Sequence, residues 1–511
     1  MCFFFLRYEH LSNILYFSLM RYLLAFLVFW AISMEFPKVA FQDPSGIHFI
    51  RQTDGLAFAS YYFEREEGFL NSGTLNQTSD DGHVACELPV FYYLTAQIYQ
   101  YTGIYFPILR WLHGLVVLLG IIHVFLFWKK WAGNAWMPLL MMFMLFTSVV
   151  FSYYAFNFLP DAPAWAFVIM GWYYGIQFLE NRNNRWVILS LFFFAWGALL
   201  KPTFFIHAVA FLGTMMFLHH SAPRNKEEWR YALGAFGFAL LLVALWSWRI
   251  IQFNTAHHDD YFLVSTRPIW KMDAEDIRVV WDHMTGYWFR DYFARDMWRW
   301  IGLMLAIVVL RWKNMSTLVR HAFWILSLGE LSYIVLFFGQ FKDHDYYAWN
   351  IFPWFIWLAA AFIDGFWSAL HHKFSQYLVG LTLLVLGCTS WQANQKVIRW
   401  RFGHDEPNLA WVGKRLKDGP DYLKAHGVLP FTEKVVVVPD FTRNGSLLFI
   451  QQEGWTLADS TQLFRLKEPS LQKATAVLVL DSNYLKFPAI SEEWKVVFQD
   501  TTQEIYWMRR R

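Results

Sequence analysis

The chain has 511 residues, of which 56% are hydrophobic and only 16% charged, and its formal net charge is +3 at pH 7. That apolar share exceeds what a soluble chain carries, so the sequence belongs to the membrane class and its length no longer counts domains. The near-neutral balance supplies no global basic field, which argues against nucleic acid as a partner.

The first apolar run, 22–32, is not followed by a small-residue cleavage pattern and reads as an uncleaved first span. Met20 followed by Arg21 makes an ordinary translation start, so 1–19 is either an upstream extension or a cytoplasmic interfacial segment. Further apolar runs near 111–128, 135–153, 163–179, 186–200, 203–219, 231–251, 299–312, 321–339, 349–367 and 374–392 bring the expectation to about 11 transmembrane helices. An odd count puts the termini on opposite sides. Short loops carrying Lys129 and Lys130, Arg182 and Arg185, Arg224 to Arg230, Arg311 to Arg320, and Lys373 are expected in the cytoplasm, as is the N-terminus. The long or acidic loops 35–110, 157–161, 201–202, 252–298 and 340–348 then face outward. The aromatic share of 21% suits lipid-facing helices with ring-rich ends at the bilayer interfaces.

The fold class expected is therefore all-α polytopic over 1–395, followed by a small extracytoplasmic α/β domain over 396–511, where charge becomes mixed and short β-rich runs appear. In this tail 434–438, 447–450, 476–480 and 494–498 read as strands, and 409–426 and 460–473 as helices. Asp440 and Asp481 follow strand ends, where they would serve as turn or helix caps or border a ligand. Cys2, Cys86 and Cys388 show no CxxC and no metal spacing, so a disulfide framework is not expected, and a Cys86 to Cys388 bridge is the one pairing left open.

The candidate reactive residues gather on the outer side. Arg51-Gln52-Thr53-Asp54 precedes an apolar, aromatic stretch at 56–63, so Asp54 is either the N-cap of a helix or a carboxylate able to take a proton from a docked hydroxyl. Glu87 stands before Pro89 at a helix start, and Asp161 lies between Pro160 and Pro163 at the outer end of a span, where water or a polar cavity must meet it. Lys201-Pro202 offers a cation for a phosphate, with snorkelling to the interface as its ordinary role. His257-His258-Asp259-Asp260 contains ligand types for a divalent metal but no third ligand at a recognisable spacing. Lys342, His344, Tyr346 and Tyr347 form a basic, ring-rich loop that would contact a lipid-linked phosphate or simply mark the interface. Glu330 falls inside a span, where an acid needs a partner or a function.

Taken together, Arg51-Gln52-Thr53-Asp54, Glu87-Leu88-Pro89, Pro160-Asp161 and His344-Asp345-Tyr346-Tyr347, in this order and on one side, resemble the GT-C fold of membrane glycosyltransferases that use polyprenyl-phosphate sugars. That group contains protein O-mannosyltransferases and the aminoarabinose transferase of lipid A. The resemblance covers most of 20–392. It implies Asp54 as the catalytic base, with Asp161 and Glu87 shaping the site; from the loops themselves Arg51, Lys201, His257, His258, Lys342, His344, Tyr346 and Tyr347 are expected around the substrate. In the aminoarabinose transferase pattern a Lys follows the acid corresponding to Glu87. Here Leu88 does, which leaves the phosphate to Lys201, Lys342 or His344. Implied partners are a polyprenyl-phosphate-linked sugar, a glycan, lipid or protein acceptor, and the bilayer of the plasma (inner) membrane. Inversion at the sugar would follow from a single displacement. A transporter or flippase of lipid-linked glycan, and a glycan polymerase or ligase, are the alternatives.

Overall fold

The computed structural model describes residues 21–79, 81–221, 223–259, 261–262, 266–370, 372–403 and 411–511. Residues 1–19 and Asp260, which figure in the sequence expectations, lie outside them. The chain is mostly helical. Among the described residues six helices are long and apolar enough to cross a membrane: Pro107–Ala132, Pro202–His220, Lys226–Ala256, Thr317–Leu336, Asp345–Ala369 and Lys373–Arg401. The other expected runs fall on Arg21–Ser33, Asp161–Asn181, Asn184–Leu200, Arg295–Leu310 and one broken pair, so about 11 exceeds the number that reach that length and hydropathy.

The broken pair is Trp136–Phe146 and Val149–Ala155, expected as one span and bent by 92°. Its cause is local. Ser148 takes extended backbone and its hydroxyl accepts from the Phe151 N–H, starting a new helix. A break inside a bilayer strands backbone groups, and here the Lys373–Arg401 helix supplies the partner: Asn394 Nδ2 donates to the Thr147 carbonyl at 2.6 Å. Elsewhere the helices close tightly where glycine permits. A Cβ on Gly120 would stand 2.6 Å from that of Ala166, so Pro107–Ala132 and Asp161–Asn181 meet nearly backbone to backbone.

The segment between the first span and Pro107 contains two longer helices, Phe49–Arg65 and Val90–Thr102, packed on one another, the first of them also on the tail. The tail holds a five-stranded sheet in the order β2-β1-β3-β5-β4, with β1 Lys434–Val438, β2 Glu453–Thr456, β3 Ala476–Val479, β4 Trp494–Asp500 and β5 Ile505–Arg510. β1 pairs in parallel with β2 and β3, while β5 runs antiparallel to β3 and β4. Val435 to Val438 are fully buried, as expected of a central parallel strand covered on both faces.

The run 447–450, expected as a strand, is instead the end of a short helix, Gly445–Ile450. A brief apolar run has no readable period, and Asp440 decides the matter. It accepts from the Thr442 N–H and hydroxyl with one oxygen and from the Ser446 N–H with the other, which turns the chain into a helix. Asp440 and Asp481 thus act as caps. β2 and β5 were not among the expected strands. The expected helix 460–473 is two 3-10 segments, and within 409–426 the described residues form two short helices. The exposed edge of β2 is not bare. Gln77 N–H donates to the Gly454 carbonyl at 2.7 Å and Gly454 N–H to Leu75, so the first outer loop covers the edge that would otherwise invite foreign strands.

Candidate active site

Asp54 is not an N-cap. The Phe49–Arg65 helix begins after His48, so Asp54 lies in its second turn, facing inward and 1% exposed. Its Oδ1 accepts from Asn444 Nδ2 at 2.9 Å and its Oδ2 from the Tyr261 hydroxyl at 3.2 Å. Burial pushes its carboxyl above the usual range, against the pull of Arg51, Asn444 and Tyr261. Beside it opens a cavity of about 470 Å³ lined by His48, Arg51, Asp54, Tyr261, His344 and Tyr346 and, from the tail, Phe441.

The other buried acids around this cavity are each held by a cation. Glu87 pairs with Arg51 and accepts from the Tyr92 hydroxyl. Burial would raise the Glu87 carboxyl, but Arg51 and Tyr92 outweigh it and hold it below its ordinary value. Asp161 Oδ1 is 2.7 Å from Lys201 Nζ, and the same ammonium lies 5.0 and 4.2 Å from the rings of Tyr346 and Tyr347. A largely covered lysine paired with a buried carboxylate beside two aromatic rings is fixed, not snorkelling.

Asp345 is fully buried at the base of the site, with His48 Nε2 at 2.9 Å, the Tyr154 hydroxyl at 2.5 Å and Arg401 Nη2 at 2.6 Å. Arg401 in turn pairs with Asp291 at 2.6 Å. The turn before the Phe49–Arg65 helix closes on the same point. Ile47 N–H donates to the Arg401 carbonyl, and Gly46, at φ +75°, leaves no room for a Cβ, which would meet that oxygen at 1.8 Å.

Asp54, Arg51, His344 and Tyr346 therefore share one cavity, with Glu87, Asp161, Lys201 and Tyr347 as their supports. His344 is neutral at physiological pH, since burial, with His48 and Lys201 nearby, holds its imidazole down to about 4. It offers a phosphate an N–H and no charge. Arg51 Nη1, by contrast, is a buried donor with no hydrogen-bond partner beside the cavity. Lys342 is exposed and off the cavity wall.

His257 and His258 are not brought to the cavity either. His257 Nδ1 lies 3.2 Å from Asp81 Oδ2, which is 2.9 Å from His83 Nδ1, and the ligand atoms of these three residues lie within 4.8 Å of one another. Asp81 and His83 supply the further ligand types that the sequence spacing lacks, and this trio could hold a divalent cation of the kind imidazole and carboxylate favour. His258 adopts φ +55° at the turn that follows.

Glu330 lies in a different place. It is buried, with His207 of the neighbouring helix at 3.6 Å, against an apolar cavity of about 490 Å³. Cys86 and Cys388 are free, one buried and one exposed, so the disulfide left open by the count is not formed. His48, Tyr261, Asp291, Arg401 and Asn444 carry no sequence signal of their own: each matters only through a partner far along the chain.

Residues 86–248 match the family model described as dolichyl-phosphate-mannose-protein mannosyltransferase, which is less than half of the chain. No curated protein matches the sequence. Among solved structures, ArnT from Cupriavidus metallidurans is similar over 96% of this chain and 98% of its own, with a TM-score of 0.62 and 11% identity. The same protein bound to undecaprenyl phosphate gives 0.62 and 12% over 95% and 97%. The Archaeoglobus fulgidus oligosaccharyltransferase in complex with Zn and sulfate gives 0.54 and 10%, covering 89% of this chain and 67% of that one. The mycobacterial arabinofuranosyltransferase AftD gives 0.56 and 11%, covering 95% and 40%. At such identities the likeness is one of fold: the chain has the GT-C fold of membrane glycosyltransferases, and over 86–248 it resembles the dolichyl-phosphate-mannose-protein mannosyltransferase family.

Proposed function

We propose that this chain transfers a hexose or pentose from a polyprenyl phosphate to a glycan, lipid or protein acceptor, with Asp54 as the base and inversion at the sugar. One observation carries the reading. Of the buried carboxylates around the cavity, Asp54 alone among the described residues has only neutral hydrogen-bond donors within ion-pair distance, while Glu87, Asp161 and Asp345 are neutralised by Arg51, Lys201 and Arg401. A base must keep its charge available and its pKa near the working pH, and burial moves Asp54 in that direction. That a relative of the same fold was solved with undecaprenyl phosphate supports the donor class.

The acceptor hydroxyl replaces Tyr261 at Asp54 Oδ2. Its oxygen attacks the anomeric carbon, the carbon–oxygen bond to phosphate breaks, the proton passes to Asp54, and the phosphate leaves with the bond's electron pair. Arg51 Nη1 and the His344 N–H are the donors placed to meet that developing charge. The site opens on the outer face of the plasma membrane, with the N-terminus in the cytoplasm and the tail, 396–511, outside.

Mass analysis of envelope glycans from cells with and without the chain tests the activity. Glycans lacking one sugar are expected in cells without it, and identical glycans would refute the proposal. Single cysteines introduced at Tyr101 and Asp343, both exposed, one at a time and with the native cysteines replaced, test orientation. Both should react with a membrane-impermeant maleimide on intact cells, and labelling only after the inner face is exposed would reverse the topology.

A further inference from the structure

The tail of such a chain invites description as an appended domain. Its turn after β1 argues otherwise. Asp440, fully hydrogen-bonded within that turn, sets the path of Phe441 to Asn444, and three of these residues reach the loops that carry the site. Asn444, with no exposed surface, donates to Asp54 Oδ1 across 390 positions of sequence, and its own Oδ1 accepts from the Asn76 N–H at 3.2 Å. Asn76 Nδ2 returns a hydrogen bond to the Arg443 carbonyl at 2.7 Å. Arg443 pairs with Asp259 at 2.9 Å and lies 4.2 Å over the ring of Tyr261, the second residue on Asp54. Asp259 also accepts from the Tyr261 and Phe262 N–H groups, fixing the turn that presents Tyr261. Phe441, 61% exposed, forms part of the cavity wall.

We infer that Asn444 is a positioning residue of the active site, holding one oxygen of Asp54 so that the other is presented to the acceptor, and that the tail turn 441–444 is a wall of that site. The inference rests on Asp54 being the base. The two donors on Asp54 are unequal. Asn444 is buried and anchored on both ends of its amide, whereas Tyr261 is 41% exposed and makes the longer bond. The acceptor therefore enters on the Tyr261 side, at Oδ2, while Oδ1 stays held.

A donated hydrogen bond favours the carboxylate over the carboxylic acid, so its loss makes the base harder to ionise. Asn444→Asp is the sharp variant. It keeps the side-chain shape and an acceptor for the Asn76 N–H, but replaces the donor with a second carboxylate oxygen facing Asp54. Asn444→Ala removes both. Initial rates of sugar transfer would be followed against pH with the full-length chain in membrane vesicles from its host, whose endogenous lipid-linked sugars and acceptors serve as substrates. The acidic limb of the profile should move to higher pH by about one unit or more in both variants, and further in Asn444→Asp. A lower rate with the acidic limb unmoved would reduce Asn444 to a structural contact and overturn the inference. An Asp54→Asn variant run alongside separates the two ideas. If it transfers normally, the base assignment fails, and if it is inactive while the Asn444 variants keep the native limb, only the positioning role fails.

Discussion

Replacement of Asp54 by Asn is expected to lower sugar transfer by about 10²- to 10⁴-fold, the range that a positioned general base supplies. The fold should survive. Asn is nearly isosteric, its oxygen can still accept from Asn444 Nδ2, and the change removes a buried charge whose hydrogen-bond partners are neutral. The expected signature is thus a folded, membrane-inserted protein with a collapsed rate and an unchanged or slightly raised melting temperature. As the proposed base Asp54 must be ionised to act, so the rate should rise with pH through a carboxyl pKa lying above the ordinary range because of burial. Full transfer by well-expressed Asp54→Asn protein would remove this residue from the mechanism.

The largest loss of stability is expected from Arg401→Ala. Arg401 is fully buried and bonds both Asp291 and Asp345, and its removal leaves the fully buried Asp345 without its cation. Breaking a buried pair by deleting one partner costs about 3–5 kcal/mol, because the remaining charge is stranded. The damage should reach the site, since the Arg401 carbonyl anchors Ile47 and Asp345 anchors His48, just before the helix that carries Arg51 and Asp54. Thermal unfolding in detergent of Arg401→Ala, Asp345→Asn and the double variant checks this. Neutralising Asp345 should restore part of what Arg401→Ala loses, and strictly additive effects would exclude the coupling.

Several parts of this arrangement were legible before any coordinates. Asp54, Glu87 and Asp161 attract notice because each stands beside a proline or a polar cluster at a boundary of apolar sequence, where the bilayer makes a carboxylate expensive unless water or a cavity receives it. The aromatic run at 344–347 is legible for the same reason. Their roles were less so. Asp54 looked like a helix cap because the apolar stretch begins after it, yet the helix starts a turn and a half earlier, on residues whose pattern is ambiguous. Lys201 and Asp161 were read as separate signals, and His257 was short of a third metal ligand, because the partners come from other loops. In the tail, 447–450 reads as a strand because four apolar residues fit either period, and the side chain of Asp440 settles the choice in favour of a helix.

The amino-acid sequence by itself determined that the chain lives in a membrane and that its acids and cations collect at one set of loop ends, because solvation in lipid acts on each residue independently of the rest. Which acid stays free of a cation was decided only by the tertiary structure. Arg51 turns to Glu87, Lys201 to Asp161 and Arg401 to Asp345, which leaves Asp54 to the neutral amide of Asn444 and the hydroxyl of Tyr261. Such choices depend on distances between residues remote in sequence, and the electrostatics of a buried carboxylate is set within a few ångströms by whatever the fold brings there.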